Sequence, residues 1–494
     1  MFDRLSRWML PLGPVLATLI AGICYSQGLS QPASFCLWVA LLCATWWIFE
    51  CLHIAVVGLV PFVMLPAFGV SGHKEVAQGY GHSLILLLLG GFLLSAAMEK
   101  SGAHRRIALT MVRLVGGNGG RRLVLGFMLA TALLSMWISN AATTLMMLPI
   151  ALAVLSQAGD PKLHKALLLG MAYAASIGGM ATPIGTPPNV VFMGVLDETF
   201  DGEIKMGFSR WMSFGIPVVM IMLPTIWLWV TRGLTQGRTI QMPEVGRWGP
   251  SEKRVLVIFA VTALLWMFRG EPYGGWSGLL PGGGATIGDA TVALAASLAL
   301  FVCPSGEPHE NGNRADDDIE NGAATSDEAA LPQLTQPITQ RLLDWDTAKK
   351  IPWGILLMFG GGLALATGFK DSGLSQSIGS QLAFLSDAPS WLVVLSICLL
   401  VTFLTEITSS TATATLLLPI LAQLSVASGL PPEMVMVPGT ISCSCAFMLP
   451  VATAPNVIVF GAGGIRTDEM ARTGLMLNFF AAVVITIVTL LVVG

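Results

Sequence analysis

Four short polar or proline-bearing stretches interrupt an otherwise apolar chain, and they form two pairs of twins. Ser139-Asn140-Ala141 opens a run that ends at Pro149-Ile150, and Ser409-Ser410-Thr411 opens a run that ends at Pro419-Ile420. Ser176 to Asn189 has its counterpart in Ala446 to Asn456, where Pro450, Thr453 and Asn456 repeat the intervals of Pro183, Thr186 and Asn189. Ser, Thr and Asn are favoured helix caps, and Pro is favoured at the first helical position. Ser139-Asn140, Ser409-Ser410, Thr186-Pro187 and Thr453-Ala454-Pro455 therefore each read as a cap followed by a helix start. A helix N-terminus presents unpaired N–H groups and a partial positive charge. Four of them converging would hold an anion without any cationic side chain. The motifs contain no Lys, Arg or His, so the balancing charge is expected to be a bound cation. Its candidate ligands are the side-chain oxygens of Ser135, Ser139, Asn140, Thr405 and Ser410, with backbone carbonyls freed at Gly185 and Ala452.

Each motif alone has a plainer meaning. A single Ser-Asn before an apolar run is an N-cap, and a lone Pro in a membrane helix is a kink. Recurrence in the same order in two halves, with a weaker third pair at Gly90-Gly91 and Gly361-Gly362, is what points to a site. Glu406 lies beside the second tip. An ionisable residue at membrane depth is a functional candidate, although an aqueous entrance or a backbone N–H partner would also account for it. Glu50 and His53 read as solvated turn residues, and Cys443-Ser-Cys445 as packing.

The elements that must position these motifs follow from composition. The 494 residues are 54% hydrophobic and 11% charged, against roughly 25% charged in soluble domains. The net charge of −3 and the lack of a basic cluster give no footing for nucleic acid. The first apolar stretch is longer than a signal-peptide core and is read as a retained helix. Apolar stretches of near-spanning length fall at 9–27, 35–49, 52–68, 84–98, 212–231, 254–269, 289–303, 352–368 and 473–493. Between them lie two hairpins, 122–156 and 391–428, whose arms meet at Ser139-Asn140 and Ser409-Ser410. Two broken helices, 166–195 and 433–463, follow the hairpins. Backbone broken at membrane depth must be buried in protein or line a cavity.

The expected fold is an all-α polytopic membrane protein of about 11 transmembrane helices. It has an extra N-terminal helix (1–34) and two inverted repeats, 35–245 and 246–494, each with a re-entrant hairpin and a broken helix. The polar run 304–350 reads as a disordered cytoplasmic loop. Arg105, Arg106, Arg121, Arg122, Lys162 and Arg232 collect on one face, and Asp197, Glu198, Asp201 and Glu203 on the other. The positive-inside rule then puts the N-terminus in the cytoplasm and the C-terminus outside.

At Met136-Trp-Ile-Ser-Asn140, Ser176 to Asn189, Phe403-Leu-Thr-Glu406 and Cys445 to Thr453 the chain resembles the divalent anion/sodium symporter (DASS) family, carriers of di- and tricarboxylates or sulfate. The resemblance covers nearly everything but 304–350. It implies a homodimer in the lipid bilayer, an elevator-like transport domain and two sodium sites. The first would use Ser135, Ser139, Asn140 and Gly185, and the second Thr405, Thr408, Ser410 and Ala452. Substrate carboxylates would lie among Ser139, Asn140, Ala141, Ser409, Ser410, Thr411, Thr186, Pro187, Thr453 and Ala454. The family's tip motif is Ser-Asn-Thr in both halves. Here Ala141 lacks the hydroxyl, Ser410 replaces the amide, and Ala454 stands where Pro is usual.

The reading is a secondary active transporter, not an enzyme. It would couple Na⁺ to a divalent anion, a C4-dicarboxylate such as succinate. The alternatives are a sulfate carrier, a sodium-independent anion exchanger and, more remotely, an anion channel. No activated nucleophile, metal cluster or cofactor motif is present to support an enzyme.

Overall fold

The computed structural model describes residues 2–116, 119–204, 206–234, 246–270, 275–281, 286–306, 340–382 and 388–494. Among these the architecture is helical throughout, and nine helices are long and apolar enough to cross a membrane. Most of the loop expected at 304–350 lies outside the described residues. Its ends are held together, with Pro304 bridging to Arg341 ahead of a short helix, Trp345–Ala348, capped by Asp344.

Both hairpins form where the polar tips predict. Gly120–Ser135 and Asn140–Ala158 meet at Ser139, and Ser390–Ile407 and Ser410–Ser428 meet at Ser409. Both second arms stop at a left-handed glycine, Gly159 (φ 62°) and Gly429 (φ 69°), a conformation that other residues adopt only at a cost. The broken helices follow. Pro161–Gly178 runs into a short 3₁₀ turn, Gly179–Ala181, and restarts as Pro187–Thr199. Pro432–Ser442 stops and restarts as Ala454–Gly461. In both halves the restart carries proline in its first turn, where a missing N–H costs nothing.

One expected span divides. Residues 52–68 form two short helices, Ile54–Val57 and Val60–Ala67, broken at Gly58. A side chain at Gly58 would bring its β-carbon within 2.8 Å of the Leu357 carbonyl, so the break lets this segment cross closely over Trp353–Asp371. Two further helices, Ala103–Gly116 and Leu374–Leu382, are too polar or too short to cross a membrane, while His73–Tyr80 runs on with Ser83–Ser101 as one candidate span. Of the basic residues expected on one face, Arg105 and Arg113 are exposed on Ala103–Gly116, whereas Arg106 is largely buried against Glu252.

Packing crosses between the halves. The second arm of the first hairpin lies on Ala454–Gly461, and the second arm of the second hairpin lies on Pro187–Thr199. The two broken helices touch directly, with Tyr173 Oη donating to the Phe447 carbonyl at 2.8 Å. Pro161–Gly178 is buried on every side from Ala166 onward. Gly178 lets it approach the Ala132 backbone of the first hairpin, as small residues do between membrane helices.

Candidate functional site

At the first tip a cluster of oxygens assembles with few protons to share. Ser135 Oγ lies 2.6 Å from Asn140 Oδ1 and 2.7 Å from the Ala175 carbonyl. One hydroxyl proton cannot serve both acceptors. A β-carbon at Gly179 would sit 2.5 Å from Asn140 Oδ1 and 3.1 Å from the Gly185 carbonyl. One at Gly185 would sit 2.9 Å from the Met136 carbonyl. The two glycines thus let the broken backbone close in on the tip, so that oxygens of Met136, Asn140 and Gly185 crowd together, with Ser135 Oγ bonded to Asn140. Hard cations take such neutral oxygen ligands, and unwound carbonyls are how broken membrane helices supply them. Three of the four residues anticipated for the first cation site, Ser135, Asn140 and Gly185, are therefore brought together.

Ser139 does something else with its side chain. Its Oγ accepts from the Ala142 N–H at 3.3 Å, capping the second arm. Together with Ala141 and Ala142 it borders a cavity of about 540 Å³. The far wall carries Phe92, Ser95, Glu99, Lys100 and Lys350. Lys100 pairs with Asp344 at 2.8 Å. The hydrogen bond from Lys100, with a second from Thr347, pushes the Asp344 carboxyl down to about 2. Thr186 caps Pro187–Thr199 through its backbone (φ −143°), and its hydroxyl is buried without closing the cap.

The second tip is built differently. Thr405 Oγ1 donates to the Val401 carbonyl at 2.8 Å, within its own helix, and meets the Cys443 thiol. Thr408 Oγ1 bonds the Leu404 carbonyl at 2.9 Å and Thr413 Oγ1 at 2.5 Å. Ser409 caps without a side-chain bond, and Ser410 and Thr411 are half-buried at the helix start. Among the described residues no hydrogen bond joins Thr405 to Ser410, and none joins the two tips. Ala452 donates its N–H to the Leu449 carbonyl, while Thr453 Oγ1 is buried with no partner and Ala454 is exposed. The second set of anticipated ligands is thus gathered in one region but not knit together as the first is.

Both breaks are braced by residues whose role the motifs do not state. Asn189 Nδ2 donates to the Gly179 and Thr182 carbonyls at 3.0 and 2.8 Å. Asn456 Nδ2 donates to the Ala446 and Leu449 carbonyls, both at 3.1 Å. These are equivalent positions in the two repeats, and buried carbonyls freed by a broken helix must find donors. The recurrence of Asn189 and Asn456 was the available signal. The second break has an extra brace in Glu406. Its carboxylate accepts from the Met448 and Leu449 N–H groups at 2.8 and 2.9 Å and from Asn478 Nδ2 at 2.6 Å. Of the readings open to Glu406, a backbone N–H partner is the one observed.

On the side away from the cavity, the end of the first broken helix is tied down three times. Asp197 Oδ2 lies 3.2 Å from His82 Nε2, Thr367 Oγ1 donates to Glu198 Oε1 at 2.9 Å, and Lys370 Nζ lies 2.5 Å from Asp201 Oδ1. The hydrogen bond with His82 holds the Asp197 carboxyl below its ordinary value.

Known proteins agree with this architecture. The citrate transporter family model matches residues 44–437. The chain is 37% identical to the sodium-dependent dicarboxylate transporter SdcS of Staphylococcus saprophyticus, over 97% of this chain and 89% of that one. SdcS of Staphylococcus aureus strain bovine RF122 matches to the same extent. Among solved structures the YdaH transporter of Alcanivorax borkumensis superposes with a TM-score of 0.56 at 15% identity, covering 93% of this chain and 98% of that one, and so shares the fold. Matched over nearly its whole length by these relatives, the chain is a multi-pass membrane transporter, not an enzyme, and belongs to the divalent anion/sodium symporter family.

Proposed function

We propose that this protein carries a C4-dicarboxylate such as succinate across the membrane by symport with sodium. The observation that carries the reading is the first hairpin tip. Oxygens of Ser135, Asn140 and Gly185 cluster beside a helix N-terminus that borders a cavity. The names of the relatives at 37% identity, sodium-dependent dicarboxylate transporters, support both the ion and the substrate class.

The chemistry is charge balance. Each helix N-terminus offers roughly half a positive charge, too little alone to offset a dianion. A helix dipole carries no net charge, so sodium held by Ser135, Asn140 and Gly185 balances one charge of the dianion, and a second ion near Thr405, Thr408, Ser410 and Ala452 balances the other. The dianion would rest on the N–H groups at Asn140-Ala141 and Ser410-Thr411, with Thr453 offering its unpartnered hydroxyl. Carrier and ions then move as one neutral load, which suits a path through a low-dielectric membrane. In this reading the repeats are inverted and the protein is a homodimer. An elevator-like movement of the hairpins and broken helices exposes the site to either side in turn. The N-terminus is cytoplasmic, the C-terminus is outside, and the cavity beside Ser139 opens inward. Uptake of labelled succinate, sulfate and citrate into proteoliposomes, with and without a sodium gradient, tests it. Sodium-driven uptake of succinate is expected. Preferred uptake of sulfate, or exchange without sodium, would replace the reading.

A further inference from the structure

A second cavity, far from the hairpin tips, is basic. It occupies about 280 Å³ where Pro161–Gly178 and Thr467–Val493 begin and Phe208–Val230 ends. Lys162, Lys165, Trp229, Arg232 and Thr473 form its wall. Lys165 is neutralised by Glu469. Lys162 and Arg232 have no carboxylate at ion-pair distance among the described residues, and both are exposed. The Arg232 guanidinium stacks on the Trp229 ring, 3.4 Å from its centroid, and the indole N–H is spent on the Thr473 carbonyl. The cavity therefore offers two cations without a carboxylate partner among the described residues, and the aromatic wall fixes Arg232 in place.

What leads away from the cavity identifies the ligand. From Thr473 the residues Met476, Phe480, Val483 and Ile487 follow at spacings of three and four, which places them on one helix face. All four are exposed to the surroundings of the protein, Met476 at 55% and Ile487 at 50%. A cationic cavity at a helix end, continued by an apolar track along a membrane-spanning helix, matches a phosphate headgroup joined to an acyl chain. Basic pockets between membrane helices bind lipid headgroups in this way. We propose that this cavity binds an anionic phospholipid, with Lys162 and Arg232 on the phosphodiester and the chain along Met476–Ile487. The site is separate from the transport site, so it stands whatever anion is carried.

The test is native mass spectrometry of the full-length detergent-solubilised protein titrated with phosphatidylglycerol, phosphatidylcholine or inorganic phosphate. At roughly five-fold per cation near the surface, K162Q/R232Q should weaken phosphatidylglycerol binding by about 30-fold. K162R/R232K should retain it, and phosphatidylcholine should bind no better to wild type than to K162Q/R232Q. Equal binding of the two lipids to wild type would overturn the proposal, as would K162Q/R232Q with wild-type affinity. Inorganic phosphate retained as well as the lipid would make this a free-anion site. A photoactivatable phosphatidylglycerol on the wild-type chain provides a check independent of any variant. It should label the 473–487 segment, and labelling elsewhere alone contradicts the assignment.

Discussion

Asn140 holds its amide oxygen 2.6 Å from Ser135 Oγ while its backbone N–H opens a helix. In the proposed mechanism it therefore serves cation and anion at once. Asn140→Ala should abolish uptake while the protein still inserts and elutes as a monodisperse species, since the Ser139 cap is untouched. Uptake at the wild-type rate would reduce the tip to a helix cap. Ser410 is the counterpart in the second half, with a shorter stem and no amide. A ten-fold affinity change needs only about 1.4 kcal/mol, so one poor ligand among few is felt. Ser410→Asn should lower the sodium concentration for half-maximal uptake and leave the preferred anion unchanged. Dose–response curves for sodium with succinate and sulfate check both parts, and a higher requirement or a new preferred anion would count against the idea. The proximity of Ser135 and Asn140 was legible because polar types inside apolar runs leave few alternatives, and that of Gly185 because glycine between prolines marks the break. Where Thr405 and Thr408 send their hydroxyls was not, because a threonine in a helix can always bond the carbonyl one turn back.

At the scale of elements, the breaks announced themselves through glycine and proline, and the hairpins through their polar tips. The braces did not. Glu406 was visible as an oddity, but its partners Met448, Leu449 and Asn478 are 42, 43 and 72 residues away, beyond any local pattern. The three ties at Asp197, Glu198 and Asp201 were legible only as an acidic run. Their partners, His82, Thr367 and Lys370, come from helices distant in sequence. These ties lie opposite the cavity and hold the end of the first broken helix against Ser83–Ser101 and Trp353–Asp371. Releasing them should favour the state open to the other side. With A141C as reporter in a chain otherwise free of cysteine, an impermeant thiol reagent should label wild type from the cavity side. The triple variant D197N/E198Q/D201N should gain labelling from the opposite side by several-fold. An unchanged pattern would make the ties ordinary surface pairs, which contribute little. The Asp197 tie also has a pH direction. Its carboxyl is held below the ordinary value, so its contribution is present at neutral pH and lost as pH falls through that lowered value.

For the whole molecule, composition alone required a membrane, and the recurrence of four motifs required two similar halves. What the chain does not spell out is how the halves interlock. Each hairpin's second arm rests on the broken helix of the other half as well as on that of its own, so the halves are joined at both hairpins. That arrangement makes the proposed transport unit one body whose cation and anion sites are filled or emptied together. Sodium dependence is accordingly the central claim. The most direct measurement is initial uptake of labelled succinate into proteoliposomes under an inward sodium gradient, repeated with potassium or choline in its place. The account predicts that uptake collapses to the protein-free background without sodium and rises more steeply than linearly with sodium concentration. Uptake unchanged by the replacement would contradict it.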